Sequence, residues 1–310
     1  MIRIYDAMSH QIVDSLDLSI PSGPTESRTY GPECDYTKIP YDYTRTHMPT
    51  NRDTRPGTPS GTAEPTPPDY QLNIIGGFTD AFHFHPIIVR DSTATIYLHN
   101  NMLDYNHSYY VTIDEGVLTL PDHSFHGISK EHNWSFKTKD SAPTSTDTLI
   151  VDANGQGDFN TVQGALDFIP DFSQKQTVIL IQAGDYEELV YARNKTNVKI
   201  KGAGMDRTRV HYANNEVFNP HPLTVKTNEW PGTFPSRRAA FMLDNCSDIL
   251  LEDLTIATDL HGQAEGLLLN GERIALYSVH IIGSGDALQA NGTIYMESCE
   301  LDGGGDTILG

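Results

Sequence analysis

The chain has 310 residues, enough for one large or two moderate domains with a sizeable core. Apolar residues make up 38%, alongside 25 Gly and 18 Pro, a profile of strands and loops more than of helix bundles. With 41 acidic side chains against 21 basic ones the formal charge is −20, which argues against nucleic acid or an anionic membrane as partner and favours a neutral or esterified polymer.

Three cysteines, Cys34, Cys246 and Cys299, have no short paired spacing, so neither a disulfide framework nor a zinc site is indicated and they read as isolated buried thiols. No apolar run approaches the roughly 18 residues of a membrane-spanning helix, and MIRIYDAMSH lacks the apolar core of a signal peptide. The alternating Ile2 and Ile4 follow Met1 at once, so the chain is expected to begin inside a domain.

Residues 1–20 predict two short strands, with Leu16, Leu18 and Ile20 on one face and Ser15, Asp17 and Ser19 on the other. From Pro21 to Pro68 the pattern collapses, with ten of the 18 prolines mixed among Thr, Ser, Gly and scattered Tyr, and a long irregular insertion is expected. Strand signals return at Leu72 and Ile74, Phe82 and Phe84, Ala94 to Leu98, Tyr109 to Ile113, and Trp134 with Phe136, at sandwich-like spacing. The runs SYYVTIDEGVL, FHGI and WSFKTK resemble bacterial Ig-like modules that accompany secreted enzymes, which implies an accessory β-sandwich over residues 1–139. His83 and His85 in FHFHP read as a solvent-facing pair opposite Phe82 and Phe84, with no third ligand spaced to make a metal site.

Residues 140–147, DSAPTSTD, carry no periodicity and read as a linker. A new pattern starts at Leu149: a strand, the Gly-rich turn NGQGDF, then a helix with Val162, Ala165, Leu166 and Ile169 on one stripe, stopped by Pro170. The turn has no Walker or Rossmann surroundings, so it is not read as a phosphate loop. Short β runs then follow, from TVILIQ to TIYMESCELDG, each punctuated by Gly or Asn. Repeated strand and turn at a period of roughly 20–25 residues predicts a parallel β-helix, and the helix before it a cap for one end. Between Asn214 and Arg238 lies an aperiodic insertion; Tyr212 before it and Trp230 and Phe234 within it are candidates to stack on sugar rings, and packing of the loop onto its own coil is an equal reading of them.

Within the final run, Gly262 to Gly310, Gln263, Asp286 and Asp306 recur at coil-like spacing, so one amide and two carboxylates are expected to meet on one wall. Asp beside Gly is also ordinary turn chemistry, and taken singly either carboxylate reads that way. Five N-x-S/T matches, Asn106 and Asn291 among them, read as chance in a chain rich in these residues.

The segment from Val151 to Val210, VDANGQGDFNTVQGALDFIPD through KGAGMDRTRV, resembles the opening of the pectinesterases, carbohydrate esterases that demethylate pectin. Gly262-Gln263-Ala264 resembles the family's G-Q-A, Gly283 to Leu288 its G-x-Q-D-T-L, and Gly303 to Gly310 its G-x-V-D-F-I-F-G. The resemblance spans residues 148–310 and implies an all-β fold, a right-handed parallel β-helix with an N-terminal capping helix. It also implies pectin as partner, no cofactor, no metal and no membrane span. A monomer that is secreted, held at the cell surface or periplasmic is expected. By position, Asp306 matches the family's nucleophile, Asp286 its general acid and base, and Gln263 an oxyanion-stabilising amide. Two positions depart from the pattern: Gly285 stands where the family has a second amide, and Thr307 where it has an aromatic. The family's Arg that holds the nucleophile ionised belongs to a motif that would follow Gly310, so the chain is expected to be a fragment truncated at both ends.

Two carboxylates close together cannot both ionise cheaply, which divides their labour between nucleophile and proton donor. Esterase chemistry is therefore the leading expectation, and a degenerate β-helix that binds polysaccharide without hydrolysis the second. A polysaccharide lyase would need a calcium-binding acidic cluster and a basic catalytic residue, and no such cluster stands out.

Overall fold

The computed structural model describes residues 1–23, 71–78, 81–120, 124–130, 134–216, 218–219 and 237–309. Most of the Pro-rich insertion, together with Trp230 and Phe234, lies outside the described residues. The chain divides into two compact units, with the change at Thr144 and Ser145 inside the stretch read as linker, and with Ile75–Asp80 grouped with the second unit.

In the first unit β1 (Ile2–Asp6) pairs antiparallel with β2 (Ile12–Leu16) and with β7 (Ser108–Ile113), and β7 with β8 (Trp134–Lys137). Hairpins form from β3 (Leu72–Asn73) with β4 (Phe82–His83) and from β5 (Ile87–Arg90) with β6 (Thr93–Ile96). Ile2, Ile4, Leu16, Phe84, Tyr109, Val111 and Ile113 form the core. Alternation ends earlier than the sequence predicts. Strand β2 stops at Leu16, because Asp17 turns the chain by accepting the Ser19 N–H and hydroxyl on Oδ1, at 3.1 and 2.7 Å. The solvent-facing reading of His83 is also corrected: Phe82, His83 and Phe84 are all buried, so this short strand is covered on both faces and period two does not apply.

The second unit is a stack of parallel coils. Strands β9 (Thr148–Val151), β10 (Thr177–Ile181), β13 (Thr196–Lys201), β15 (Phe241–Thr258), β16 (Leu267–Ile282) and β17 (Leu288–Glu297) pair in parallel in that order. Register turns the sequence period into columns of touching side chains. One column runs Leu149, Ile179, Ile200, Leu251, Leu276 and Met296. A second wall adds β12 (Val190–Arg193), giving the column Val190, Phe241, Leu267 and Leu288. A third adds β11 (Gly184–Glu187), β14 (Thr208–Tyr212) and β18 (Glu300–Asp302), giving Tyr186, Val210, Ile256, Ile281 and Leu301. Each coil thus buries its apolar face only against its neighbours, the condition that makes a solenoid a solenoid. The last strand, β19 (Ile308–Leu309), pairs with β17.

Sequence punctuation predicts short separate strands, yet β15 and β16 run on through several walls. Their corners are single residues in left-handed conformation, such as Asn245, Asp248 and Asp253, which turn the chain without ending its pairing. At one corner a polar ladder replaces the apolar column. Arg193 Nε bonds the wholly buried Asp244 at 2.7 Å, and Asn270 Nδ2 reaches the other Asp244 oxygen at 2.7 Å.

Helix α1 (Val162–Phe168) packs on β9 and β12, burying Val162, Ala165 and Leu166, with Ile169 as its last buried contact before Pro170. Thr161 caps it by accepting the Gly164 N–H at 3.1 Å. The buried Glu188 carboxylate accepts the Val162 and Gln163 N–H groups at 2.7 and 2.9 Å, where the helix end carries partial positive charge. Burial outweighs those bonds and raises the Glu188 pKa from 4.5 to about 7. A carboxyl that binds its proton more tightly when folded contributes stability below 4.5 that is lost as pH rises through about 7. Chemical denaturation between those pH values should therefore show stability falling by about 3 kcal/mol, and Glu188→Gln should flatten that slope.

Candidate active site

Leu267 opposes Leu288, and Leu288 opposes Ile308, so the residues two places earlier, Glu265, Asp286 and Asp306, occupy equivalent positions on three successive coils. Backbone bonds continue that register through the turns: Gly266 N–H to Ala287 O at 3.1 Å and Ala287 N–H to Asp306 O at 3.3 Å. The Asp306 N–H donates to Asp286 Oδ1 at 3.0 Å, tying one carboxylate to the backbone that carries the other. Asp286 is largely buried and Asp306 is exposed. Gln263 is half-buried, two residues before Glu265. The sequence-predicted amide and two carboxylates therefore do stand on adjacent turns.

The structure also places there two residues that the sequence reading did not select. Arg238 Nη1 donates to Gln263 Oε1 at 3.1 Å, while Nη2 lies 2.6 Å from Glu265 Oε1 and 3.7 Å from Asp286 Oδ2. Glu265 is completely buried, and burial, with the nearby charge of Asp286, pushes its pKa up against the opposing pull of Arg238. Burial works against the Arg238 charge, but Glu265, Glu216 and Asp286 outweigh it and raise its pKa, so the guanidinium stays charged. The signal was available in principle. Arg238 directly precedes the apolar run AAFML and Glu265 interrupts the apolar QAEGLLL, and a charge inside such a run needs a buried partner.

Position 285 is closed to a side chain in this backbone: a Cβ there would sit 2.9 Å from the Gly262 carbonyl oxygen. Gly283 is tighter still, its Cβ falling 1.7 Å from the carbonyl oxygen of Asp286. Of the aromatic candidates, Trp230 and Phe234 lie outside the described residues, and Tyr212 is 3% exposed, so its ring packs inside rather than offering a face to a sugar.

Among the described residues one group has the donor set of a metal centre, Glu187, His211 and Asp259, with ligand atoms within 4.8 Å of one another. Two of the three are already engaged by side chains. Arg209 Nη2 lies 3.0 Å from Asp259 Oδ1, His211 Nδ1 lies 2.5 Å from Asp259 Oδ2, and His211 Nε2 lies 3.2 Å from Asp185. Burial alone would lower the His211 pKa, but the hydrogen bond and charge of Asp259 outweigh it and hold it above 6.5. His211 and Asp259 thus belong to an ion-pair network between coils.

Fold and site together define a parallel β-helix that gathers stacked carboxylates, one amide and a half-buried guanidinium on one wall. The pectinesterase family matches residues 148–310, more than half of the chain, and the chain belongs to that family. Among its relatives, "Probable pectinesterase 8" of Arabidopsis thaliana is 29% identical over 177 residues, covering 56% of this chain and 44% of the relative. "Pectinesterase QRT1" of the same plant is 28% identical over 196 residues, covering 59% and 50%. The chain thus spans about half the length of the curated relatives it matches. Among solved structures, the pectin methylesterase from Aspergillus niger aligns with a TM-score of 0.40 at 19% identity, over 51% of this chain and 50% of that one.

Gly283→Ala should destabilise the protein by more than about 2 kcal/mol in denaturant unfolding, because the added methyl collides with backbone that cannot rotate away. An unchanged unfolding midpoint would show that the turn before Asp286 is looser than described.

Proposed function

We propose that the protein is a carbohydrate esterase that removes methyl esters from pectin. The observation that carries the reading is the stacking of Asp286 and Asp306 on adjacent coils through the Asp306 N–H, with Gln263 one coil away. In this mechanism the ionised Asp306 attacks the ester carbonyl carbon, and the charge that develops on oxygen is met by the Gln263 amide N–H. The carbon to methoxy-oxygen bond then breaks, with the Asp286 proton passing to the leaving oxygen to give methanol. The acyl group is left as an anhydride on Asp306. Asp286, now a base, takes a proton from water as the water oxygen attacks the acyl carbon, and Asp306 departs as carboxylate. Exposed Asp306 suits a polymer that must approach from outside, and the charge of −20 suits an esterified rather than a fully acidic chain.

The same reading takes the protein to be secreted, held at the cell surface or periplasmic, acting as a monomer. The catalytic part is residues 148–310. Residues 1–139 are read as an Ig-like accessory module, supported by the four-stranded antiparallel sheet and its apolar core. No helix among the described residues is long and apolar enough to cross a membrane.

A second reading, a β-helix that binds polysaccharide without hydrolysing it, is favoured by Gly285, since loss of one oxyanion donor costs roughly 10²- to 10³-fold in a hydrolase. Methanol release from esterified pectin separates the two. Native protein should release methanol, Asp306→Ala should lose on the order of 10⁴-fold, and Asp286→Asn roughly 10²- to 10⁴-fold. Equal rates for native protein and Asp306→Ala would sink the esterase reading, and retained pectin binding with no release by either would establish the second.

A further inference from the structure

Resting on the esterase reading, we infer that Arg238 is a positioning residue that fixes which end of the Gln263 carboxamide faces the reacting ester. The oxygen and nitrogen ends of a carboxamide are nearly identical in shape, so only hydrogen-bond partners decide their orientation. A guanidinium can donate and never accept. Its Nη1, 3.1 Å from Gln263 Oε1, therefore holds the oxygen toward Arg238 and turns the amide N–H groups away from it. The reversed amide would set N–H against N–H at Arg238 and present an oxygen to the developing oxyanion, repelled on both sides. With glycine at 285, and no space there for a Cβ, the polarity of this one amide matters more than it would in a site with two.

Glu265 holds the second guanidinium nitrogen and keeps its charge local. It is completely buried, stands one coil from Asp286, and lies 2.6 Å from that nitrogen as an ion pair. By matching the Arg238 charge it also keeps the cation that lies 3.7 Å from Asp286 from standing unpaired. A lysine at 238 would deliver the charge but not two donors in fixed geometry toward Gln263 and Glu265.

The test is a double-mutant cycle on methanol release. Arg238→Lys should lower kcat roughly 10²-fold with KM within about twofold, the signature of an interaction made in the transition state. Gln263→Ala should cost a similar factor, and the double variant no more than Gln263→Ala alone, because Arg238 acts through that amide. Losses that multiply, or a kcat for Arg238→Lys within about twofold of native, would overturn the inference. If Arg238→Lys fails to fold, the charge-neutral pair Arg238→Gln with Glu265→Gln runs the same cycle with the same criteria. Asp306→Ala is measured alongside. If it still releases methanol, the esterase reading fails; if it is silent while the losses at 238 and 263 multiply, only the role of Arg238 fails.

Discussion

The parallel register between β15, β16 and β17 decides where every side chain of the candidate site stands. Phe241 against Leu267, and Leu267 against Leu288, are packing facts, set by apolar columns that have no other place to bury themselves. A slip of one residue would turn each column out to solvent, so the interior holds the register far more firmly than any interaction of the polar wall could. The carboxylates inherit their spacing from that constraint. Asp286 and Asp306 are brought together by leucines that have no part in the chemistry.

On such a wall the cost of charge is high, and the structure meets it with pairing. Breaking a buried ion pair by removing one partner typically costs about 3–5 kcal/mol, because the remaining charge is stranded. Arg238 with Glu265 and Arg193 with Asp244 are two solutions of this kind on neighbouring coils. The second closes a corner; the first reaches Gln263 and Asp286 as well, so its geometry bears on the site and not only on stability. Asp306 lies at the exposed edge of the same wall.

Much of this was legible in the sequence, for a physical reason. Helix α1 could be read from Val162, Ala165, Leu166 and Ile169 because a capping helix shows its buried stripe at helical spacing. The coil period survived in Gln263, Asp286 and Asp306 because turns recur once per coil. What failed were features that depend on neighbours distant in sequence. The residue in register with Asp286 is Glu265, two places past Gln263, which spacing alone does not show. Arg238 was passed over because its partners lie about 25 to 50 residues downstream and no local pattern announces them. Ile20 and His83 depart from the alternating pattern because it is carried past a turn and onto a strand covered on both sides, whereas Leu18 still packs on the core.

We take the stacked wall of Gln263, Asp286 and Asp306 to be where an ester is opened. A crystal structure of the Asp306→Ala protein bound to a methyl-esterified galacturonate oligomer tests it most directly. A methyl-ester carbonyl carbon should lie over the vacated carboxylate position, its oxygen toward the Gln263 amide nitrogen and its methoxy oxygen within hydrogen-bonding reach of Asp286. An oligomer bound on another wall, or one whose ester groups all point away from these three residues, would contradict it.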